Sequence, residues 1–411
     1  MTEVPGSPVW RHNHARELLS FSHAAASPQG GFGWLDDDGR IDPRHDRETW
    51  ITCRMTHVAA IGTLVGDERS RQDLTHGVEA LRGLFHDDEF GGWYASVGWD
   101  GRPTDDRKAA YPHAFVILAS ASALVAGAAG AEDLLRDALA ISRAHFWDDE
   151  AGMVVEQWDR QFVHCDAYRG VNANMHTVEA YLAAADAIDW AGLTDLDSRL
   201  WRQRAGRILG RVIDREARAN DWRIPEHFDT AWRPQFDYNR DHPADPFRPY
   251  GATIGHGLEW ARLCLQAEAA HPATPPWMSD AARHLYDRAV TDGWAVDGAD
   301  GFVYTTDWQG DPVVRERMHW VVAEAIGATV ALGRAGLIDP SADLRRWWQY
   351  ADTFLIDHER GSWHHELDTH NRPSATVWDG KPDVYHALQA TLLPDLPLSP
   401  SIVVALKTQG D

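Results

Sequence analysis

The stretch DDEFGGWY, at residues 87–94, decides the fold because loops of the same kind return along the chain. The related acidic, glycine-containing loops lie at 30–39, 148–156, 297–304 and 357–366. Asp87 and Asp148 are 61 residues apart, and Gly301 and Gly361 are 60 residues apart. A loop that recurs at this interval, with room for two helices between occurrences, indicates a repeat of helical hairpins. The sequence therefore predicts an all-α fold.

Two kinds of predicted helix alternate between these loops. The amphipathic kind places apolar residues three and four positions apart with charges between them, as in a helix with one wet face. It covers residues 15–25, 70–85, 131–146, 197–213, 278–290 and 343–355. The second kind is rich in small apolar residues and reads as buried on all sides. It covers residues 51–66, 111–127, 172–188, 253–270, 318–333 and 384–393.

Six such hairpins need about 390 residues, close to the 411 in the chain. We therefore predict a single (α/α)6-barrel catalytic domain over residues 1–411. Six outer helices would surround six inner ones, with short loops or small β-hairpins between them. An open solenoid of the same helices is the alternative.

The charge and cysteine counts exclude several classes of protein. The chain has 39 Lys and Arg against 62 Asp and Glu, a net charge of −23. A surface this acidic repels phosphate backbones and anionic lipids, so we expect neither a nucleic-acid nor a membrane partner. The three cysteines are isolated, which argues against a disulfide framework or a zinc ribbon. The 20 Trp and 22 His favour a polar pocket with aromatic walls, as in sugar-binding proteins.

Two observations bear on the cellular location of the protein. The N-terminal residues lack the apolar core of a secretory signal, so we expect a cytoplasmic protein. Ala114 to Ala131 carry no charge and are nearly long enough to span a bilayer. Because this stretch is rich in Ala and contains two serines, we interpret it as a buried helix of a soluble protein.

The candidate site residues lie in the first turns of the six predicted buried helices. Each of these turns carries a polar residue, at steps of 59, 63, 80, 68 and 62 residues: Arg54, His113, His176, His256, Glu324 and His386. If the inner helices run parallel, these six side chains converge on one mouth of the barrel. Burying so many polar groups is costly unless they line a wet pocket. For each residue alone, a satisfied core histidine or a structural ion pair is the competing interpretation.

Local spacing suggests how these groups are held. His256 and Glu259 are three residues apart, so the carboxylate could orient the imidazole, and Asp383 and His386 share this spacing. Two further pairs at helical spacing are Asn172 with His176 and Trp320 with Glu324. A contact that only stabilises the helix is the alternative for each pair.

Other chemistries find little support in the sequence. There is no GxxxxGK[ST] phosphate loop, no complete dinucleotide loop and no GxSxG nucleophile elbow. In HHELDTH (364–370), the His after Glu366 comes one residue too late for a zinc-binding helix face. We therefore expect no metal and no cofactor.

Three segments of the chain resemble a known family. RPYGATIGHGLEW (248–260), NANMHTVEAYL (172–182) and GKPDVYHALQA (380–390) are similar to the N-acylglucosamine 2-epimerase superfamily. The resemblance covers nearly the whole chain and implies an (α/α)6 barrel with metal-free proton transfer by two histidines. It assigns the catalytic pair to His256 and His386. It assigns substrate binding or support to Arg54, Asn172, His176, Glu259, Trp320 and Glu324, to which we add Tyr111, His113 and Asp383.

Within that superfamily, the pattern looks most like the branch of mannose and sulfoquinovose isomerases. The resemblance thus implies an aldose–ketose isomerase acting on a monosaccharide, with D-mannose to D-fructose as the expected reaction and lyxose-like aldoses as further substrates. His386 would move the C2 proton to C1 through a cis-enediol, oriented by Asp383 or another carboxylate. His256, held by Glu259, would open the sugar ring, and Arg54 with His176 would donate to the enediolate oxygen.

Four alternatives stay open at this point. The chain could be a sugar C2-epimerase, or a sulfoquinovose isomerase with Arg248 binding the sulfonate. An (α/α)6 glycoside hydrolase would use Glu259 and Glu324 as acid and base, and a non-catalytic sugar-binding barrel would bind without turnover. Both a monomer and a homo-oligomer are compatible with the sequence.

Overall fold

The computed structural model describes residues 4–271 and 277–410. Helices dominate this part of the chain, as the repeat predicts. The α-helices are α1 (Pro8–Ser22), α2 (Thr49–Leu64), α3 (Glu68–Arg82), α4 (Ala110–Val125), α5 (Ala131–Ile141), α6 (Val171–Ala191), α7 (Ser198–Leu209), α8 (Ile254–Ala270), α9 (Trp277–Gly293), α10 (His319–Arg334), α11 (Ser341–Tyr350), α12 (Tyr385–Leu392) and α13 (Ile402–Gly410).

Each of the twelve predicted segments overlaps one of these helices. The differences lie at the ends of the outer helices, where α5, α7 and α11 continue into π-helical turns at Ser142–Phe146, Gly210–Ala217 and Ala351–Leu355. The short C-terminal helix α13 was not predicted. Helical order and helix type therefore follow from the sequence, whereas the widened last turns do not.

Short strands precede the inner helices and line the loops. They are β1 (Arg47–Glu48), β2 (Ser96–Val97), β3 (Pro103–Asp105), β4 (Lys108–Ala109), β5 (Trp147–Asp148), β6 (Met153–Val154), β7 (Gln157–Trp158), β8 (Arg169–Gly170), β9 (His227–Phe228), β10 (Ala252–Thr253), β11 (Thr305–Thr306), β12 (Pro312–Val314), β13 (Arg317–Met318) and β14 (Glu366–Leu367). The pairing is antiparallel, as in Arg47 opposite Val97 and Arg317 opposite Leu367. These are the small β-hairpins expected between helices.

The described chain divides into two compact units. The first unit contains residues 4–18, 209–381 and 386–399, without 272–276, and the second contains 19–208, 382–385 and 400–410. The single domain over 1–411 stays a prediction.

In the second unit, the inner helices α2, α4 and α6 pack side by side, with α3 against α2 and α5 against α4. Helix α4 covers residues 114–125 of the uncharged stretch described above, and nearly all of the helix is buried. Across residues 4–271 and 277–410, no helix has both the length and the apolar composition needed to cross a membrane.

In the first unit, the inner helices α8 and α10 pack against each other, with α9 against α8 and α11 against α10. The inner helices are almost wholly buried, which explains their small residues. At Gly257 on α8, for example, a Cβ atom would already lie 3.3 Å from the Cβ of Ala289 on α9.

In four of the six repeats, a buried cation that lies two to four residues before an inner helix makes the same kind of contact. It reaches back to the preceding acidic, glycine-containing loop and binds a carboxylate or a carbonyl there. The pairs are Arg47 with the carbonyls of Gln29 and Gly30, Lys108 with Asp87, Arg317 with Asp297 and the Asp300 carbonyl, and Lys381 with Asp357 and the Gly361 carbonyl. These contacts explain why the loops repeat: each one anchors the start of the next inner helix.

Candidate active site

Two histidines and one tryptophan meet at helix starts in the first unit. His256 is the third residue of α8, Trp320 the second of α10 and His386 the second of α12. The ring centroid of Trp320 lies 5.5 Å from that of His256 and 5.8 Å from that of His386. Both predicted catalytic imidazoles therefore contact the same indole.

Each of these histidines is oriented by a buried glutamate. His256 Nδ1 lies 2.9 Å from Glu226 Oε1, and His386 Nδ1 lies 3.0 Å from Glu324 Oε1. A carboxylate accepts a hydrogen bond, so Nδ1 carries the proton and Nε2 becomes the basic nitrogen of a neutral ring. The arrangement equips both imidazoles for proton transfer.

The partners of the two histidines differ from those expected from spacing. Glu226, thirty residues earlier, takes the position at His256 Nδ1 that was predicted for Glu259. Glu324 orients His386, whereas Asp383 instead accepts a hydrogen bond from Arg54 at 3.2 Å. The prediction was wrong on Glu259 as the partner of His256, whereas Glu324 is the other carboxylate that the prediction allowed for His386. Three-residue spacing brings two side chains near each other without deciding which tertiary partner is closer.

Arg262 on α8 binds two carboxylates: that of Glu259 on the same helix and that of Glu324 on the neighbouring helix α10. Its Nε donates to Glu324 Oε2 at 3.0 Å, and its Nη2 donates to Glu259 Oε1 at 3.4 Å. The side chains of all three residues are at most 6% exposed. Glu259 thus takes part in a buried ion-pair network behind the histidines.

In the second unit, Arg54 is surrounded by aromatic rings and held by two polar groups. The guanidinium carbon lies 4.6 Å from the Phe115 ring centroid and 4.9 Å from that of Tyr385. Nη1 donates to Asp383 Oδ2, and Nη2 donates to the Tyr111 hydroxyl at 3.0 Å. Burial on its own opposes the charge of Arg54, but Tyr111 and Asp383 outweigh it and raise the pKa.

His176 and Asn172 both lie on α6, and the His176 ring contacts two of the aromatic residues around Arg54. The His176 ring lies 5.2 Å from the Tyr111 ring and 4.6 Å from the Phe115 ring, and its Nδ1 is 3.7 Å from Glu179 Oε2. Asn172 lies one turn earlier on α6, and its Oδ1 is buried without a hydrogen-bond partner among the residues described. Such a group is available to a polar ligand.

His113 has a different environment from the other predicted site residues. Its Nδ1 lies 2.7 Å from the Ala109 carbonyl, and its Nε2 accepts a hydrogen bond from the backbone N–H of Trp93 at 3.2 Å. Burial lowers its pKa to about 3. Its two ring nitrogens connect a loop to the start of α4, which favours a structural role, and substrate support by His113 stays a prediction.

Sequence reasoning missed Glu226, Arg262 and the hydrogen bond from the Tyr385 hydroxyl to Glu179. Weak signals were present. Arg262 is a charged residue inside a predicted buried helix, and Glu226 is an acid inside the apolar segment IPEHF (224–228). Tyr385 directly precedes His386 but lies outside the repeat-equivalent positions.

Comparison with known proteins gives consistent results. Residues 30–390 match the family profile described as N-acylglucosamine 2-epimerase. A D-mannose isomerase of Thermobifida fusca is 49% identical over 404 residues, covering 98% of this chain and 97% of that protein. A D-mannose isomerase of Pseudomonas cannabina pv. alisalensis is 45% identical over 407 residues, covering 98% and 96%.

A solved structure extends the likeness to the fold. The crystal structure of a D-mannose isomerase has a TM-score of 0.86 to this chain at 26% identity, covering 95% of this chain and 98% of that one. The structural neighbours are (α/α)6 barrels, which confirms the predicted fold class.

Proposed function

Because the chain belongs to the N-acylglucosamine 2-epimerase family, we propose that this enzyme is an aldose–ketose isomerase that converts D-mannose into D-fructose. Relatives that share 45 to 49% of its residues over nearly their whole length carry the name D-mannose isomerase. The substrate class in this proposal is a monosaccharide, with lyxose-like aldoses as further candidates.

One observation carries the chemistry of the proposal: two imidazoles, each with a buried glutamate on Nδ1, contact the same indole. Isomerisation needs one group to open the sugar ring and another to move a proton between neighbouring carbons. Histidine suits both tasks because its pKa lies close to the working pH, so one ring can act as base and then as acid.

We assign ring opening to His256, oriented by Glu226. In this step, protonated His256 transfers a proton to the ring oxygen and takes up the O1 proton, giving the open-chain aldehyde. Trp320, between the two histidines, would stack on a face of the sugar, since aromatic rings pack well against C–H surfaces.

We assign the carbon-bound proton to His386, oriented by Glu324. Its Nε2 removes the proton from C2, O1 takes up the electron pair and a proton from His256, and a cis-enediol forms. His386 then returns its proton to C1 while the O2 proton passes back to His256, so C1 becomes an alcohol carbon and C2 becomes the ketone. Substrate hydrogen bonds from Arg54, Tyr111, Asn172 and His176 belong to the same proposal and are supported by their burial and polarity.

A sugar C2-epimerase is the second candidate, since the family is named for that reaction. An epimerase returns the proton to C2 from the opposite face and would convert mannose into glucose. Incubation of the purified protein with D-mannose, followed by product identification, separates the two reactions. Fructose is expected, and glucose without fructose would contradict the isomerase assignment.

The role of His386 is tested with the same assay. We expect His386→Ala to lower kcat by at least a hundredfold, as for loss of a general base. His86→Gln is the matched control because His86 also pairs with carboxylates, Asp88 and Asp137, at 2.7 and 3.1 Å, yet is not one of the proposed site residues. In deuterated water, a single proton shuttle carries part of the hydrogen from C2 to C1 of the product. Complete replacement of that hydrogen by deuterium would contradict transfer by His386 alone.

The proposal also includes a cytoplasmic location and leaves the choice between monomer and homo-oligomer to size-exclusion chromatography. Cell fractionation tests the first point, and both are independent of the catalytic assignments.

A further inference from the structure

We propose that Arg262 is a positioning residue that holds Glu324 against His386 and makes His386 less readily protonated. The inference rests on the proposed function for its catalytic meaning. Its structural basis is the different surroundings of two otherwise similar histidine–glutamate pairs.

In the first pair, His386 with Glu324, the carboxylate also binds a cation. One oxygen of Glu324, Oε1, lies 3.0 Å from His386 Nδ1, and the other, Oε2, accepts from Arg262 Nε at 3.0 Å. The side chains of Arg262 and His386 are 3% and 5% exposed, so the pair is screened little by water.

The second pair, His256 with Glu226, lacks such a cation. Glu226 is buried, and no arginine or lysine within residues 4–271 and 277–410 forms an ion pair with it. Its negative charge acts on His256 and also on the neighbouring His227.

The arginine on Glu324 changes how readily His386 takes up a proton. A carboxylate next to an imidazole favours the charged ring, and an arginine on the same carboxylate opposes that effect because like charges repel. Charged and titratable groups near His386 in this unit include Glu324 and His319 from α10, and Arg262 from α8 binds the second oxygen of Glu324. His319, whose ring lies 6.3 Å away, stacks on His365.

This effect fits the task proposed for His386. The group that removes the C2 proton must be neutral when the substrate binds, which suits His386 because Arg262 offsets the charge of Glu324. Arg262 therefore favours the basic form of His386 without touching the substrate.

The test compares the pH dependence of kcat/KM for two substitutions of Arg262. Arg262→Met removes the charge, so we expect the acid limb to move up by about one pH unit, a tenfold loss of kcat/KM below that limb. Arg262→Lys keeps the charge, and we expect its acid limb to stay within about 0.3 unit of the wild type. An unmoved limb in Arg262→Met overturns the proposal.

A matched control removes another arginine that bridges two carboxylates. Arg202, in the other unit, donates to Asp186 at 2.7 Å and to Asp189 at 2.8 Å. Arg202→Met therefore removes a comparable set of ion pairs, and we expect no shift of the acid limb of the kcat/KM profile. An equal shift in Arg202→Met would show that loss of stability causes the effect.

A third comparison asks whether Arg262 acts through Glu324. In the Glu324→Gln background, the carboxylate that transmits the effect is absent, so adding Arg262→Met is expected to move the titration of His386 by less than about 0.3 unit. A full shift in that background contradicts the proposed route.

NMR titration of 13C-labelled histidine separates this proposal from the proposed function. It follows protonation of His386 and His256 directly, with the signals assigned from single histidine substitutions, and needs no turnover. If the wild type fails to convert mannose, the isomerase assignment fails, while the titration still decides on Arg262. If mannose is converted and both histidines titrate unchanged in Arg262→Met, only the role of Arg262 fails.

Discussion

A Cβ atom on Gly255 would lie 2.2 Å from the indole of Trp320, closer than side chains approach in folded proteins. Gly255 directly precedes His256 on α8, so this missing side chain lets the indole lie against the imidazole. Gly255→Ala is expected to lower kcat/KM by at least tenfold and to reduce the free energy of unfolding by about 2 kcal/mol, as for overpacking in a core. Enzyme assay and denaturant unfolding measure the two effects.

Gly206 on the outer helix α7 is the matched control. A Cβ atom there meets nothing within 4 Å, and alanine is the better helix former by up to about 1 kcal/mol. We therefore expect Gly206→Ala to be neutral or stabilising with unchanged activity. Equal behaviour of the two alanine variants would show that contact with Trp320 is unimportant.

At this scale, the sequence identified the histidines better than their partners. His256 and His386 stand out because polar residues recur at equivalent starts of buried helices. Glu226 does not, since it reaches His256 from thirty residues away and only the folded chain brings them together. His113 shares the repeat position, yet its ring nitrogens bind backbone groups, so a repeat position alone does not distinguish a ligand contact from a loop anchor.

The loop anchors make a prediction about whole elements. Lys108, just before α4, donates to Asp87 at 3.0 Å, and both side chains are fully buried. Lys108→Met leaves the Asp87 charge without its buried partner and is expected to lower the free energy of unfolding by about 3 kcal/mol. Denaturant unfolding followed by circular dichroism measures this loss.

Arg160 provides the control, because it binds the same carboxylate at 2.8 Å but is one-third exposed. Arg160→Gln is expected to cost less than about 1 kcal/mol, as for other exposed ion pairs. Losses of similar size in the two variants would mean that burial does not set the strength of these anchors.

Helices were predictable as elements because their apolar spacing is a local property. The inner helix α4 has no Asp, Glu, Lys or Arg on any face, whereas the outer helix α3 alternates charged with apolar positions. The π-helical turns that end α5, α7 and α11 escaped prediction, since one extra residue in a turn leaves no pattern in the sequence. The anchoring role of Lys108 and Lys381 was also missed, because a lone lysine beside a loop is normally exposed.

For the whole molecule, buried neutral histidines predict sensitivity to acid. Burial lowers the pKa of His57 to about 4 and that of His113 to about 3, against about 6.5 in an unfolded chain. Between pH 6.5 and 4, the unfolded chain therefore binds protons that the folded chain does not. The free energy of unfolding must fall as the pH falls, by about 1.4 kcal/mol per pH unit for each of these groups.

His57→Gln tests this, since the amide does not titrate. The slope of the free energy of unfolding between pH 6 and 4.5 is expected to decrease by about 1.4 kcal/mol per pH unit. Ser122→Ala, which removes the hydroxyl 2.7 Å from His57 Nδ1, keeps the histidine and should keep the slope. An unchanged slope in His57→Gln would contradict a neutral buried His57.

The fold class was predictable at this scale because the loop period, near 60 residues, matches the length of the chain to six hairpins. The longest step, 80 residues from His176 to His256, gave no hint of what fills it. The structure places a long segment of turns there, with the short strands β9 and β10, between the π-helical turn at Gly210–Ala217 and α8. Glu226 lies in this segment, which is why the missed partner and the irregular repeat have the same origin.

The buried anchors also constrain how this chain can drift over generations. Losing Lys108 alone leaves the buried charge of Asp87 with only the partly exposed Arg160, and losing Asp87 alone removes the partner of the buried Lys108 charge, whereas two apolar residues together leave neither buried charge behind. The same holds for Lys381 and Asp357. Among descendants of this sequence, each pair is expected to be inherited or replaced as a unit, so that covariation between distant positions marks these anchors.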